Sequence, residues 1–183
     1  MKLLLTNIKR LLQVANHPPE FRKGKDMQTL PSLENAFLYC VDEKIADFGM
    51  MKVMPSEYLS SETVFDATGR LVLPGFCDPH THLVYSGSRE MEYIDKIKGL
   101  SYEEIARKGG GILNSAKLLH NTSEDELFEQ SSQRVRAIMN QGTCSVEIKS
   151  GYGLNTQDEL KMLRVIRRIR NEFPLNAKYE PKI

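Results

Sequence analysis

The 183-residue sequence has no excess of charge of either sign: 25 Lys and Arg stand against 24 Asp and Glu, leaving a net charge of +1. Such a balance gives no bulk electrostatic attraction to nucleic acid. Cysteine is scarce, with only Cys40, Cys77 and Cys144, an odd number at spacings that fit no metal motif. A disulfide framework is thereby excluded and a reducing compartment favoured. Long apolar runs are missing too. No stretch approaches the roughly 20 consecutive apolar residues of a membrane span. The opening Met1-Lys2-Leu3-Leu4-Leu5 is interrupted by Thr6, Asn7 and Lys9, too early for a secretory leader, and no small-residue cleavage site follows. Low-complexity segments are absent. The one glycine cluster, Gly109 to Gly111, is not followed by the Gly-Lys-Ser/Thr ending of a phosphate loop. What is left is an ordinary globular composition, with the cytoplasm as the default location.

What is present begins with short strands. Lys2 to Ile8 reads as one, and Asn16 to Ser32, with Pro18, Pro19, Gly24 and Pro31, as a surface loop. Ala36 to Val41 and Ile45 to Phe48 flank the turn Asp42-Glu43-Lys44 as a hairpin, and Thr63-Val64-Phe65 is a further strand. This predicts a small β domain over residues 1–70. A buried strand then starts at Leu71-Val72-Leu73, passes Pro74-Gly75 and ends in Asp78-Pro79-His80-Thr81-His82. Side chains alternate along a strand, so His80 and His82 share a face with Asp78 one step behind, and two imidazoles so placed can reach one metal ion. Pro79 has no N–H for a ladder and marks the strand's frayed end. A lone His-x-His is common on surfaces and in cores; the apolar lead-in is what makes this one a candidate.

Beyond the histidines the pattern turns to helices and one more strand. Ser101 to Glu104 and Ser123 to Glu126 read as capping boxes, as does Thr156 to Glu159. The first opens a short helix stopping near Gly109, and another helix covers Ile112 to His120. The second opens a helix with Leu127, Phe128, Val135, Ile138 and Met139 on its apolar side, ended by Gly142. The third opens a helix expected to bury Leu160, Leu163, Ile166 and Ile169, and to expose Lys161, Arg164, Arg167, Arg168 and Arg170 to solvent. No stacking aromatics accompany that basic face, so RNA binding is not indicated. Between them, Thr143 to Ser150 alternates: Cys144, Val146 and Ile148 on one face, Thr143, Ser145, Glu147 and Lys149 on the other. Glu147 and Lys149 are expected to form an ion pair, and His17 and His120 to lie on the surface. The order of strands and helices favours a parallel βα repeat.

Asp66-Ala67-Thr68-Gly69 with Asp78 to His82 resembles the first barrel strand of the amidohydrolase superfamily. Gly87-Ser88-Arg89-Glu90, Ser101 to Ile105, Gly109 to Ile112, and Glu147 to Leu154 resemble one branch of it, the hydrolases that open the imidazolone ring in histidine degradation. The resemblance implies an α/β fold: the N-terminal part of a metal-dependent TIM (β/α)8 barrel over residues 71–183, preceded by a small β-sandwich domain. It implies that His80 and His82 bind one Zn²⁺ or iron ion. It implies that Arg89, Tyr152 and Tyr102 bind a small-molecule substrate. The general base and remaining ligands are expected beyond Ile183, because 183 residues fall short of the roughly 250 of a complete barrel. The 183 residues alone are therefore expected to be inactive, and the full-length enzyme has room to be a homodimer. A bridging carbamate on Lys149 is not expected, since that lysine belongs to a later strand of the superfamily. Asn176 to Ile183 do not look like the superfamily's next barrel strand. Two alternatives remain: another cyclic-amide hydrolase or aminohydrolase of the superfamily, or a non-catalytic fragment.

Overall fold

The computed structural model describes residues 1–15, 17, 19–174 and, for the backbone alone, 176–180. The chain forms two compact units, Met1–Pro74 and Gly75–Ile183. The first is built on one five-stranded sheet. Strands β1 (Lys2–Leu12), β2 (Ser32–Val41) and β3 (Lys44–Met50) pair antiparallel in sequence. Strands β4 (Thr63–Asp66) and β5 (Leu71–Val72) each pair parallel with β1. β1 runs on past its apolar start to Leu12 and carries a bulge. The pairing steps from Leu5 opposite Leu38 to Ile8 opposite Ala36, and Asn7 takes φ 53°. One extra residue moves Ile8 on to the face of Leu5. There it joins Leu11, Ala36 and Ala67, while Leu4, Phe37 and Tyr39 form a separate apolar cluster against Tyr58. The loop expected over residues 16–32 contains a 3₁₀ turn at Gly24–Gln28; Asn16 and Pro18 lie outside the described residues.

The expectation of one strand from Leu71 to His82 is corrected here. Leu71–Val72 belongs to the first sheet, whereas β6 (Phe76–Thr81) starts a second sheet after Pro74-Gly75. Gly75 has a reason to be glycine: a Cβ there would lie 2.2 Å from Cys144 Sγ. All three cysteines are free.

The second unit has three parallel strands in the order β6, β7 (Thr143–Lys149), β8 (Asn176–Glu180). Its helices are α1 (Glu90–Ile97), α2 (Tyr102–Arg107), α3 (Ile112–Asn121) and α4 (Glu124–Asn140), between β6 and β7, and α5 (Thr156–Glu172), between β7 and β8. β8 corrects the expectation that Asn176 to Ile183 do not look like the next strand. Its backbone pairs in register from Ser145 opposite Asn176 to Lys149 opposite Glu180. Asn, Lys and Glu are poor strand formers, so composition concealed a strand that the neighbouring ladder supports. Pro181 to Ile183 lie outside the described residues. Among the described residues no helix is long and apolar enough to cross a membrane.

Val146 and Ile148 of β7 pack with Leu127, Phe128 and Val135 of α4 and Met162, Val165, Ile166 and Ile169 of α5. The α5 stripe corrects the expected one. Leu160 is 48% exposed, and Met162 and Val165 are buried in its stead. Residues advance by about 100° each around a helix, so Leu160 and Ile169, nine apart, lie on opposite sides. Lys161 is also not a solvent-facing cation. Its ammonium donates to the carbonyls of Leu119 (2.6 Å), His120 (3.3 Å) and Thr122 (3.0 Å), closing the C-terminus of α3.

The caps differ as well. Ser101 and Glu104 form a complete box. Ser123 accepts from the Glu126 N–H, but Glu126 accepts from Gln130 Nε2 rather than reaching back. α5 is capped by Asn155, not Thr156, through Asp158 N–H at 2.9 Å. Asp158 itself is buried and joins the ends of two helices. It accepts from Asn155 Nδ2 (2.6 Å), lies 2.8 Å from His120 Nδ1, and pairs with Lys161. His120 remains on the surface, tethered by that contact. Burial is the largest single influence on Asp158 and would raise its pKa. The bonds from Asn155, His120 and Lys161 together outweigh it and hold the pKa at about 2, against 3.8 ordinarily. A carboxylate with a depressed folded pKa stabilises the fold above its unfolded pKa and loses that contribution as pH falls through the folded one. The stability of the folded protein should therefore drop by about 2 kcal/mol from this group as pH falls from about 4 towards 2. Denaturant unfolding across that range should show the loss, and Asp158→Asn should be less stable at pH 7 and lack that part of the acid dependence. An acid limb identical in the two proteins would contradict it.

Candidate metal and substrate site

β6 ends at Thr81, whose hydroxyl donates to the Glu147 carbonyl at 2.8 Å and ties the strand end to β7. The pairing steps from Asp78 opposite Val146 to Thr81 opposite Ile148, so Pro79, with no N–H to give, sits at a bulge inside the strand rather than at its end. The rings of His80 and His82 are 5.5 Å apart between centroids, tilted by 60°. An ion bonded tetrahedrally to one nitrogen of each ring, at about 2.0–2.1 Å, would hold the ring centres roughly 5 Å apart. The donor pair therefore fits a single metal ion. Asp78 is turned elsewhere: its Oδ1 accepts the His80 N–H at 3.2 Å. Among the described residues no group of three His, Cys, Asp or Glu forms a metal cluster.

The chain leaving His82 is held firmly. Leu83 and Val84 are buried in the core. Arg134 of α4 donates from Nε to the Leu83 carbonyl at 2.9 Å and from its terminal nitrogen to the Tyr85 carbonyl, and its guanidinium lies 3.8 Å over the Tyr85 ring. Nothing in the sequence singled out Arg134, because a clamp from a helix to backbone carbonyls leaves no local pattern.

Tyr152 comes to the same place from the loop after β7. Its ring centroid is 5.1 Å from that of His82. The loop is fixed by Glu159, whose carboxylate accepts the Gly151 N–H (2.9 Å) and the Gly153 N–H (2.6 Å). The sequence pattern assigned Glu159 to a capping box; with Asn155 capping the helix, the glutamate is free to reach the loop. Gly153 cannot carry a side chain without movement, since a Cβ would lie 2.5 Å from Glu159 N and 2.8 Å from Asp158 C, both backbone atoms. Gly153→Ala should cost about 1–3 kcal/mol, the usual range for overpacking. Unfolding in denaturant measures this, and an unchanged midpoint would contradict the close approach.

Arg89 stands at the N-cap position of α1, and its Nε donates to Glu92 Oε2 at 2.9 Å while a terminal nitrogen donates to the same oxygen. The other Glu92 oxygen accepts the Gly111 N–H at 2.9 Å, so one carboxylate links the arginine to the glycine loop. The Glu92 hydrogen bond is foremost in raising the Arg89 pKa, and the charge interactions of Tyr152 and Tyr102 add to it. The Tyr102 hydroxyl lies 3.7 Å from where a Cβ on Gly111 would stand, beside the N–H that Glu92 accepts. The bond from Arg89 holds the Glu92 carboxyl below its usual range. Tyr102 is 65% exposed and lines an open recess of about 560 Å³ with Gly109, Gly111, Asn114 and Lys117. The structure brings His80, His82 and Tyr152 together and places Arg89 and Tyr102 around the Glu92 carboxylate and the Gly111 loop. Glu147 and Lys149 form the expected ion pair on β7, both half-buried.

The profile of the amidohydrolase family matches residues 63–175. An imidazolonepropionase from Christiangramia forsetii is 54% identical over 178 residues, 97% of this chain and 43% of its own. One from Flavobacterium johnsoniae is 50% identical over the same share of each chain. The chain thus spans less than half the length of these relatives. Among solved structures, the atrazine chlorohydrolase TrzN from Arthrobacter aurescens TC1, complexed with zinc, superposes with a TM-score of 0.60 over 98% of this chain and 35% of its own, at 14% identity.

Proposed function

This chain belongs to the amidohydrolase family, and we propose that it carries the metal and substrate rim of an enzyme that hydrolyses 4-imidazolone-5-propanoate to N-formimidoyl-L-glutamate. The observation that carries the reading is the convergence of two imidazoles and the Tyr152 ring at one end of β6 and β7. In this reading residues 1–70 are a part of a small β-sandwich and residues 71–183 the first βα units of a TIM-like barrel. Active sites of such barrels lie at the C-terminal ends of the strands, where His80, His82 and Tyr152 sit.

His80 and His82 would hold one Zn²⁺ or iron ion, which when bound supplies Lewis-acid activation of water and of the ring carbonyl. The substrate's propionate suits Arg89, whose planar fork matches a carboxylate. Tyr152 sits beside His82 and would orient the ring by a hydrogen bond, with Tyr102, at the Gly111 loop that Glu92 holds, as a further substrate contact. Hydrolysis adds hydroxyl to the ring carbonyl carbon and breaks its bond to the ring nitrogen. The carbon becomes the new carboxylate and the nitrogen takes the proton as the formimidoyl end. A catalytic zinc normally has three protein ligands, so the further ligands and the general base would lie in the remaining length that the relatives possess. The enzyme would act in the cytoplasm.

The test is to assay the intact, metal-loaded protein with imidazolone propanoate, a hydantoin and a dihydroorotate. Ring opening of the first, with the others slower by orders of magnitude, is expected. Preference for either of the others would move the assignment elsewhere in the family.

A further inference from the structure

We propose that Glu159 is a positioning residue for this site: by accepting the two peptide N–H groups that flank Tyr152, its carboxylate sets how the Tyr152 ring lies against His82. What Tyr152 does for the substrate rests on the function proposed above; how it is held does not.

The Tyr152 ring packs against the core of this unit, but the backbone that carries it between β7 and α5 is held by few groups. Gly151 takes φ 123° and Leu154 φ 57°, and glycines on both sides of the tyrosine leave its backbone torsions loosely determined. The N–H groups of Gly151 and Gly153 point to the same side and make a small concavity of the kind that receives an anion. Both of its bonds go to one carboxylate, at 2.9 and 2.6 Å, one to each oxygen. Bonds to an ionised acceptor are shorter and roughly twice as strong as neutral ones. The carboxylate stands on a rigid base. Glu159 is in the first turn of α5, its own N–H bonded to the Asn155 carbonyl at 3.1 Å, and the helix is anchored by Met162, Val165 and Ile166, all fully buried. Asn155 strengthens the joint from the other side, donating to the Gly153 carbonyl at 3.1 Å. A continuous path therefore runs from the core, through α5 and Glu159, to the Tyr152 ring and on to His82 at 5.1 Å between ring centroids. Water could satisfy the two N–H groups if the carboxylate were removed, but water is not attached to α5. The expected consequence is a ring that is misplaced rather than a protein that is unfolded.

The experiment uses the intact protein with isotope-labelled histidine rings, in which the ring-proton signals of His82 are shifted by the neighbouring tyrosine. Tyr152→Leu removes the ring and defines the full displacement. Glu159→Ala should move the His82 signals most of the way to that value, with the His120 signals unmoved. Glu159→Gln, which keeps the shape and one acceptor, should move them part of the way. In turnover, Glu159→Ala should raise KM roughly tenfold to a hundredfold, the scale of an ångström of misplacement, with a smaller change in kcat and partial recovery in Glu159→Gln. His82 signals at their wild-type positions in both variants, or a lowered melting temperature with those signals unmoved, would overturn the proposal. If Glu159→Ala does not fold, the Gln variant carries the same reading. The spectroscopic arm needs no substrate. Failure of the ring-opening assignment would show instead as a wild-type protein inactive on imidazolone propanoate, with the His82 displacement intact.

Discussion

His80→Ala and His82→Ala should each strip the intact protein of its metal and reduce ring opening to background. The two imidazoles stand 5.5 Å apart, the spacing that suits one shared ion. Losing one of few ligands removes both affinity and the fixed coordination geometry on which activation depends. Folding should be little affected in the metal-free state. His80 is exposed and His82 half-buried, so neither imidazole fills a core position whose loss would leave a cavity. Metal content by elemental analysis, turnover, and melting temperature without metal separate these effects. Either variant with a full complement of metal and near-normal turnover would contradict the ligand assignment.

Arg89→Lys should weaken substrate binding while leaving the fold in place. Lysine keeps the charge that Glu92 faces, but it loses the planar fork that now sends two donors to Glu92 Oε2 and would match a carboxylate. A hydrogen bond to a charged group is worth about 1–3 kcal/mol, so KM should rise roughly 5- to 150-fold with kcat changed less. The Gly111 N–H still has its bond to Glu92, so the glycine loop should keep its position. Steady-state kinetics on imidazolone propanoate measures the split. Unchanged KM and kcat would return Arg89 to the reading of a surface arginine paired with a nearby glutamate.

The parts of this molecule that announce themselves in sequence are those governed by short-range periodicity. Val146 and Ile148 are buried because strands alternate, and the same alternation suggested the approach of His80 and His82, whose rings lie 5.5 Å apart although β6 ends between them at Thr81. The cap at Ser101 was legible because its whole signal lies within four residues. What could not be read depends on partners far along the chain. Lys161 looks like one of several solvent cations until the C-terminus of α3 is brought against it. Glu159 fits a capping box until Asn155 takes the cap, and only then does its carboxylate turn to the Tyr152 loop. β8 has Tyr179 as its one strong strand former and is a strand because β7 offers it a ladder. The break between Leu71–Val72 and Phe76–Thr81 has a similar origin. Leu73, Pro74 and Gly75 sit between two short apolar runs, and whether the chain continues in one sheet or passes to another is set by pairing with β1, which no local pattern records.

The central claim is that His80 and His82 hold one ion in front of a carboxylate-binding arginine. It is tested most directly by a crystal structure of the intact protein grown with Zn²⁺ and imidazole-4-propionate, an unreactive ring carrying the same side chain. The account predicts one zinc ion bonded to both imidazoles, the ligand ring beside Tyr152, and its carboxylate on Arg89. A zinc ion bonded to neither histidine, or a carboxylate held away from Arg89, would contradict it.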